Sequence, residues 1–361
     1  MKFFCIPADF KLETVKELHK LNQISKFYKV KELYGQCTTR NVIPSGRNNV
    51  PNIDLNDLKA FIKEVHKYEL TFNYVINGVT LNNTEFSKHG LQEIINFLKE
   101  LEDCKVDAVT VSVPPLLEII EYYGFDFDVV ISTINQVNTV DIARYYESKN
   151  VKRIVFSETI NRNFKMLKAM TCTCKCDFEI IVNSLCYMNC PLRMYHYNQI
   201  AQCAYQKNDI ATSYYSNRCF MRRQKNPVDY LRNAFIRPED MKIYEELDIK
   251  YFKIQGRNLI KNANIIRTLE AYFSNSYDGN LYDLLNCFSQ SDNTIYIDNK
   301  SLNNFIDHFV EAYDCDLGCK TCNHCKNYFE LSCRSNTFKN KFIGQRVKEQ
   351  DPFRKFLEGE E

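Results

Sequence analysis

The sequence has no tryptophan and few of the residues that interrupt regular structure. Its 361 residues include only 10 glycines and 9 prolines, so a long flexible linker or a low-complexity segment is not expected. The formal net charge is only +2, because 47 basic residues are nearly balanced by 45 acidic ones. That balance lacks the cationic excess typical of nucleic-acid-binding proteins, and we do not expect RNA or DNA as a partner.

Long apolar runs are also missing. No segment approaches the roughly 18 apolar residues of a membrane-spanning helix, so no membrane span is expected. The first residues, MKFFCIPADFKLE, are apolar over too short a stretch to form a signal peptide. We therefore expect a cytoplasmic protein.

Cysteine, by contrast, is abundant, with 16 residues. Because the cytoplasm keeps thiols reduced, these cysteines do not predict a disulfide framework. A lone cysteine mostly packs in the core, which is our interpretation of Cys5, Cys104 and Cys287. Clustered cysteines in such a protein indicate metal binding instead.

Short runs rich in β-branched residues alternate with segments whose apolar residues recur every three or four positions. In one such segment, Leu58, Ile62 and Val65 form a single helical stripe. The predicted strands are Phe3–Pro7, Phe27–Tyr34, Leu70–Ile76, Ala108–Val113, Asp128–Ser132, Arg153–Phe156, Asp177–Val182 and Tyr251–Ile254. Eight strands with crossover helices favour an α/β fold of the closed (β/α)8, TIM-like barrel type over an open sheet.

Two places break this alternation. Nearly seventy residues separate the seventh strand from the eighth, and connections of that length usually carry function. Farther along, a cysteine-rich stretch replaces the alternation. We therefore predict a barrel over residues 1–290, with a cofactor-binding insertion at about 183–250, and a C-terminal extension over residues 291–361.

The insertion opens with SLCYMNCPLRMYHYNQ, in which Cys186 and Cys190 directly follow the seventh strand. Cys37 follows the second strand, and Cys203 and Cys219 lie farther along the insertion. Loops after barrel strands open onto the catalytic face, so these distant thiols are expected to meet there. Thiolates favour iron–sulfur clusters or zinc. Simple packing stays open as the alternative, because C-x-x-C is the more usual metal-binding spacing.

The extension contains four cysteines within eleven residues, in CDLGCKTCNHC. The candidate metal ligands are Cys315, Cys319, Cys322 and Cys325. Their spacing is more similar to ferredoxin-type runs than to zinc ribbons, whose cysteine pairs are farther apart. An iron–sulfur cluster and zinc both stay open, as does a reactive tail without metal.

Charged side chains are expected at the same end of the barrel. Arg47 and Arg257 fall after the second and eighth strands, where guanidinium groups suit a dicarboxylate or a phosphate. His196 is a candidate acid–base, since histidine titrates near neutrality. Glu158 ends the sixth strand and is a candidate base. Each also has a structural interpretation, as a cap, an ion-pair partner or a satisfied loop residue.

Several segments together resemble the collagenase-like peptidase family, peptidase family U32. They include ELYGQCTTR, FNYVINGVTLNNTEF, VTVSVPPLLEII, LCYMNCPLRMYHYN, NRCFMRR, FIRPEDM and YFKIQGR, within about residues 1–285. The resemblance implies a TIM-like barrel with a 4Fe-4S cluster on four cysteines. Some members of the family hydroxylate a ubiquinone precursor or an RNA base without oxygen, in some cases with prephenate as the oxygen donor.

The resemblance also implies a set of cluster ligands. The position of the family's usual fourth ligand is Lys242 in this chain. The quinone-hydroxylating branch instead takes a ligand from the loop after an early strand, and Cys37 in YGQC resembles that ligand. The predicted ligands are therefore Cys37, Cys186, Cys190 and Cys219. Cys203 is the substitute if Cys37 does not reach the others.

Three functions follow as hypotheses. The first is an iron–sulfur enzyme that carries out an oxygen-independent, hydroxylation-like modification of a small organic or peptide substrate. The second is a peptidase, although the sequence contains no H-E-x-x-H motif and no nucleophile elbow. The third is a non-catalytic electron-transfer subunit that docks onto a partner protein, because the quinone branch works as two subunits.

Overall fold

Eight parallel strands close into a barrel in the computed structural model. The structure describes residues 1–38, 42–47, 50–206, 212–289, 295–312 and 322–334, together with Cys315, Cys319, Phe353, Leu357 and Glu358. The strands are β1 (Lys2–Pro7), β2 (Tyr28–Gly35), β3 (Thr71–Ile76), β4 (Ala108–Val111), β5 (Asp128–Ile131), β6 (Arg153–Val155), β7 (Asp177–Ile181), β8 (Asn183–Tyr187), β9 (Asn233–Phe235) and β10 (Tyr251–Lys253). The barrel runs in the order β1-β10-β7-β6-β5-β4-β3-β2, while β8 and β9 form a separate antiparallel pair. The α/β barrel and its eight predicted strands are confirmed; β8 and β9 were not predicted.

Helices cover the outside of the barrel. They are α1 (Leu12–Ile24), α2 (Leu55–Lys67), α3 (Lys88–Asp103), α4 (Pro114–Tyr123), α5 (Val140–Glu147), α6 (Phe164–Thr173), α7 (Arg193–Gln206), α8 (Thr212–Lys225), α9 (Met241–Glu245), α10 (Ile265–Phe273), α11 (Leu281–Leu285), α12 (Asp307–Glu311) and α13 (His324–Ser332). In α2 the Asp54 carboxylate caps the first turn, and the predicted stripe of Leu58, Ile62 and Val65 is buried. Within the described chain, no helix combines the length and apolarity that crossing a lipid bilayer requires.

A bulge in β2 decides which of its side chains face the barrel interior. Phe4 of β1 pairs with Val30, but Cys5 pairs with Glu32, so Lys31 is an extra residue. The bulge shifts the alternation of the strand by one position. Glu32 therefore points inward, whereas Leu33 packs in the layer between the strands and the helices.

Paired charges occupy the barrel interior. Arg153 on β6 donates from Nη2 to Glu32 Oε1 at 2.6 Å, and its Nε lies 2.7 Å from Glu179 Oε2 on β7. Lys253 on β10 lies 2.6 Å from the other oxygen of Glu179. Asn73 extends the network by donating to Glu32 at 3.1 Å. Because every charge here is buried, each depends on its partner.

The insertion between β7 and β10 is anchored by its first residues. Only Val182 separates β7 from β8, and Asn183 of β8 lies opposite Phe235 of β9. The Asn183 side chain donates to Gln255 O at 2.9 Å and accepts from Gln255 N at 2.8 Å. These bonds fix the base of the insertion directly beside the end of β10, so α7 and α8 stand next to the opening of the barrel.

Candidate functional site

A cavity opens at the carboxyl ends of the barrel strands. Its empty volume, including the part open to solvent, is about 590 Å³. Its lining residues are Tyr34, Gly46, Arg47, Val75, Asn77, Thr110, Ser132, Thr133, Ile134, Val155, Ile181, Tyr197, Lys253, Gln255, Gly256 and Arg257. The inward side chains of the strands form its floor and the following loops form its wall. This is the face at which barrel enzymes hold their chemistry.

Arg47 reaches the cavity because its loop lies directly on the end of β3. Gly78 N donates to Pro44 O at 2.9 Å, and a Cβ at Gly78 would lie only 2.7 Å from that oxygen. The close approach thus requires glycine. Gly46 is then fixed by its N–H, which donates to Asn77 Oδ1 at 2.9 Å. Arg47 lines the cavity wall, and its predicted functional role stays a prediction.

Arg257 follows β10 and is buried in the same wall. Its Nη1 donates to Gln36 Oε1, and its Nη2 lies 3.4 Å from Asn77 Oδ1. Both partners are neutral amides. Burial and the nearby Arg47 lower the pKa of Arg257 to about 10. Among the described residues no carboxylate pairs with either arginine, so the cavity holds positive charge that an anion is suited to balance.

Glu158 lies behind the cavity wall rather than in it. Its carboxylate accepts from the Ser184 hydroxyl, and from the Tyr197 hydroxyl at 3.2 Å. Tyr197 itself lines the cavity. Glu158 is therefore a residue that positions Tyr197 and Ser184, and its predicted role as a base stays a prediction.

His196 stands on α7 near the mouth. Its ring stacks on Tyr215 at 5.2 Å between centroids. Burial and the nearby positive charge of Arg47 lower the pKa of His196 to about 4. The imidazole is therefore neutral at neutral pH and is only a weak base there, and its predicted acid–base role stays a prediction.

Replacing His196 with glutamine is expected to make folding stability less sensitive to acid. A histidine with a lowered pKa favours the folded state above its unfolded pKa of about 6.5, and this contribution is lost as the pH falls toward 4. One such group changes the pH slope of the unfolding free energy by at most about 1.4 kcal/mol per pH unit. Urea unfolding of both proteins at about pH 7 and about pH 5 measures the slopes. Equal slopes would mean that His196 is not held neutral.

Three of the four predicted cluster cysteines come together beside the cavity. Cys186 is on β8, Cys190 follows β8, and Cys219 is on α8. The hydrogen bond with Cys219 lowers the pKa of the Cys190 thiol to about 6, and the same bond raises that of Cys219. Burial of its thiol and the nearby charge of Glu158 raise the pKa of Cys186 to about 11. Cys190 is thus the thiol most readily deprotonated at neutral pH.

Arginines surround these three thiols. Arg193 and Arg222 both favour the charged form of Cys190, and Arg223 favours that of Cys219. Arg193 is held by a hydrogen bond to Tyr187 O, and Arg223 by one to Leu185 O. The side chains of Arg222 and Arg223 also line a pocket that contains Cys190 and Cys219, with an empty volume of about 380 Å³ that includes open solvent.

The structure does not bring Cys37 to this group. Cys37 lies in the hydrophobic layer outside the barrel, where its N–H donates to the Tyr74 hydroxyl at 2.9 Å. Burial and the neighbouring Cys104 raise the pKa of the Cys37 thiol to about 12. Cys203, the predicted substitute, is buried on α7. The four-cysteine ligand set stays a prediction. Cys203 lies in the same insertion as the three thiols, whereas Cys37 follows β2.

The barrel interior contains one further group of metal-ligand atoms. Within the described ranges, Cys5, Glu32 and Glu179 are the only three such residues whose ligand atoms all lie within 4.8 Å of one another. Arg153 and Lys253 already balance both carboxylates. This group therefore has the charge balance of a structural network rather than that of a vacant cation site.

Two of the four extension cysteines, Cys315 and Cys325, pack against the main hydrophobic core, while Cys319 is exposed. The thiol of Cys325 is half-buried and lies near Arg162 and Arg232. Sequence reasoning missed both arginines, and also Lys253 and Tyr34 of the cavity. Lys253 had a detectable signal, since a charged residue inside an apolar barrel strand indicates a buried ion pair or a site.

Comparisons with known proteins agree with this architecture. Residues 34–279 match the family model described as peptidase family U32. An uncharacterized protease of Methanocaldococcus jannaschii is 29% identical over 330 residues, which cover 91% of this chain and 97% of the relative. The solved structure of the U32 peptidase Mk0906 aligns with a TM-score of 0.53 at 16% identity, over 71% of this chain and 93% of that one. The family model covers more than half of the chain and confirms the resemblance seen in the motifs, so the chain belongs to peptidase family U32.

Proposed function

We propose that this chain is an iron–sulfur enzyme that modifies a small organic acid at the barrel mouth without oxygen, in a hydroxylation-like reaction. The observation that carries the proposal is the convergence of Cys186, Cys190 and Cys219 beside a cavity whose two arginines have no carboxylate partner among the described residues. When bound, a cluster would supply one-electron transfer. The chain's own residues would bind and orient the substrate.

The three thiols offer the soft sulfur ligands that an iron–sulfur cluster requires. Among the described residues, the three sulfurs are not all within 4.8 Å of one another, and Cys190 and Cys219 share a hydrogen bond. Arg193, Arg222 and Arg223 supply the positive surroundings that a cluster with thiolate ligands favours.

The cavity favours a small substrate with both an anionic and an apolar part. Arg47 and Arg257 are placed to bind a carboxylate. Val155 and Ile181 on the floor, with Tyr34 and Tyr197, offer an apolar and aromatic surface. Neutral His196 near Arg47 is the candidate proton acceptor.

Serine at both Cys190 and Cys219 is expected to remove the cluster. The full chain is purified without oxygen, and iron, acid-labile sulfide, visible absorbance and the electron paramagnetic spectrum are measured. The background carries Cys322→Ser and Cys325→Ser, so that metal in the extension does not contribute. We expect the variant to lose about four irons per chain and the brown colour. The control is Cys172→Ser, since Cys172 is exposed. Iron content equal to that of the control would rule out these ligands.

Peptide hydrolysis is the second candidate, and its support is the family and the name of the relative from Methanocaldococcus jannaschii. Its test is cleavage of a mixed peptide substrate by metal-depleted protein. Cleavage that persists without iron, and that a single cysteine substitution abolishes, would favour a thiol peptidase over the cluster enzyme.

A further inference from the structure

The described part of the extension packs against the rest of the chain through several elements. Asn280 pairs with Asp298, α12 contacts α6, and α13 contacts the turn at Pro227–Tyr230. Cys315 and Cys325 both pack against the main hydrophobic core. These two cysteines are therefore held against a folded surface.

Near these two cysteines lies a buried arginine. Arg162 has no solvent-exposed surface, and its guanidinium is enclosed by the rings of Phe235, Phe305 and Phe309 at 4.7 to 4.9 Å. Its Nη1 donates to Leu231 O at 2.8 Å. Its Nε and Nη2 have no hydrogen-bond partner in the part of the chain that the structure describes. A buried charge with unsatisfied donors destabilises the folded protein unless a nearby charge of opposite sign balances it.

The thiols of Cys325 and Cys315 lie near that charge, as do Tyr244 and Asp240, whose carboxylate is already paired with Arg237 at 2.7 Å. Burial lowers the pKa of Arg162, and the nearby thiols of Cys325 and Cys315 oppose the shift. Burial raises the pKa of the Cys325 thiol, and the neighbouring thiols of Cys319 and Cys322 raise it further. Cys325 and Cys315 thus lie near Arg162, and Cys319 and Cys322 lie near Cys325.

Two further side chains border the same group. Arg232 binds Asp229 at 2.9 Å through Nη1, while its Nε has no partner among the described residues. Cys319 lies near Arg232 and stabilises its charged form. On the other side, His308 Nε2 lies 3.8 Å from the Cys322 sulfur. The thiols are therefore bordered by positive or neutral nitrogen atoms.

We propose that Cys315, Cys319, Cys322 and Cys325 hold a second, thiolate-bound metal centre, and that Arg162 is the buried charge that balances it. Four thiolates around zinc, or around a four-iron cluster, carry a net negative charge. Asp240 is paired with Arg237, so among the described residues neutral thiols would leave Arg162 without an ion-pair partner of its own, whereas bound thiolates would balance it. This site stands apart from the barrel-mouth thiols and does not depend on the function proposed there.

Metal analysis of the full chain tests the site. We compare Cys322→Ser/Cys325→Ser with Cys172→Ser, both made with Cys190→Ser and Cys219→Ser so that the barrel-mouth thiols do not contribute. The extension variant is expected to lose either about one zinc or about four irons with their sulfide, while the control keeps them. Equal iron and equal zinc in the two proteins would overturn the proposal. If Cys190→Ser/Cys219→Ser loses the iron of the barrel-mouth thiols but keeps the metal of the extension cysteines, the two sites are independent.

Arg162→Met supplies a second readout. With a metal centre present, removing its balancing charge is expected to speed metal release to a chelator by about tenfold or more, in the range known for residues behind metal ligands. Arg267→Met is the matched control, because Arg267 is exposed on α10. An unchanged release rate together with a higher thermal midpoint would mean that Arg162 is only an unbalanced buried charge, and would overturn its role.

Discussion

Replacing Arg153 with methionine is expected to destabilise the folded barrel by about 3–5 kcal/mol, the usual cost of breaking a buried ion pair. Arg153 joins Glu32 and Glu179 across the interior, so its loss leaves Glu32 with only neutral partners and Glu179 with Lys253 alone. Although burial opposes it, Lys253 and Arg153 together hold the pKa of Glu179 below its usual value. Urea unfolding of the metal-free chain measures the loss.

The pH dependence identifies the cause. A buried carboxylate without a partner takes up a proton as the pH falls, so the penalty of Arg153→Met should shrink between about pH 7 and about pH 5. Adding Glu32→Gln to Arg153→Met is expected to restore part of the stability. The control is Lys250→Met, which removes a half-exposed ion pair with Asp177 and is expected to cost about 1 kcal/mol or less. If Arg153→Met costs no more than this control, the interior network does not stabilise the barrel.

Replacing Arg257 with methionine is expected to weaken carboxylate binding at the barrel mouth by about 10- to 100-fold, which corresponds to the loss of one charged hydrogen-bonded contact. Titration calorimetry with a series of small mono- and dicarboxylates measures this on the full chain. Arg257→Lys is expected to recover only part of the affinity, because lysine cannot form two parallel hydrogen bonds to one carboxylate.

Arg257→Met should also raise the thermal midpoint of the unliganded protein. Arg257 is buried and, among the described residues, is bonded only to the neutral amides of Gln36 and Asn77, so an apolar side chain removes an unbalanced charge. Weaker binding with higher stability is the expected pair of results. Arg267→Met, at an exposed position on α10, should change neither. Unchanged carboxylate affinity in Arg257→Met would exclude the arginine wall as the anion site.

The strands and the mouth could be predicted because their signals are local. Buried parallel strands such as Asp177–Ile181 are short, rich in β-branched residues and separated by amphipathic helices. Once the barrel is inferred, its topology places Arg47 and Arg257 on one face without further information. The antiparallel pair of β8 and β9 escaped prediction because its two strands are 45 residues apart in the sequence between Tyr187 and Asn233, and nothing local joins them.

Cys37 shows why the direction of a side chain is harder to predict than the location of its loop. The loop after β2 does lie at the mouth, since Gln36 reaches Arg257. The extra residue Lys31 shifts the strand's alternation, and Cys37 consequently faces the helices. A one-residue shift moves a side chain from one face of the strand to the other. Because a bulge has no reliable sequence signature, this change cannot be predicted from the sequence.

The role of Arg162 was equally hidden. Its environment is built from Phe235, Phe305 and Phe309, which lie more than 70 residues beyond it in the chain. Only tertiary packing brings these rings and the extension cysteines to one arginine. The cysteine spacing alone predicted a metal site there, but not what surrounds it.

The barrel closes by joining its first strand to its last, Phe3 beside Tyr251, and this order matters during translation. At about 5–20 residues per second, a ribosome needs about 10–50 s to make the chain between them. Throughout that interval β1 has no neighbour on one side, and Glu32 emerges long before Arg153. The growing polypeptide therefore presents an open sheet edge and an unmatched acidic side chain until the later strands are made.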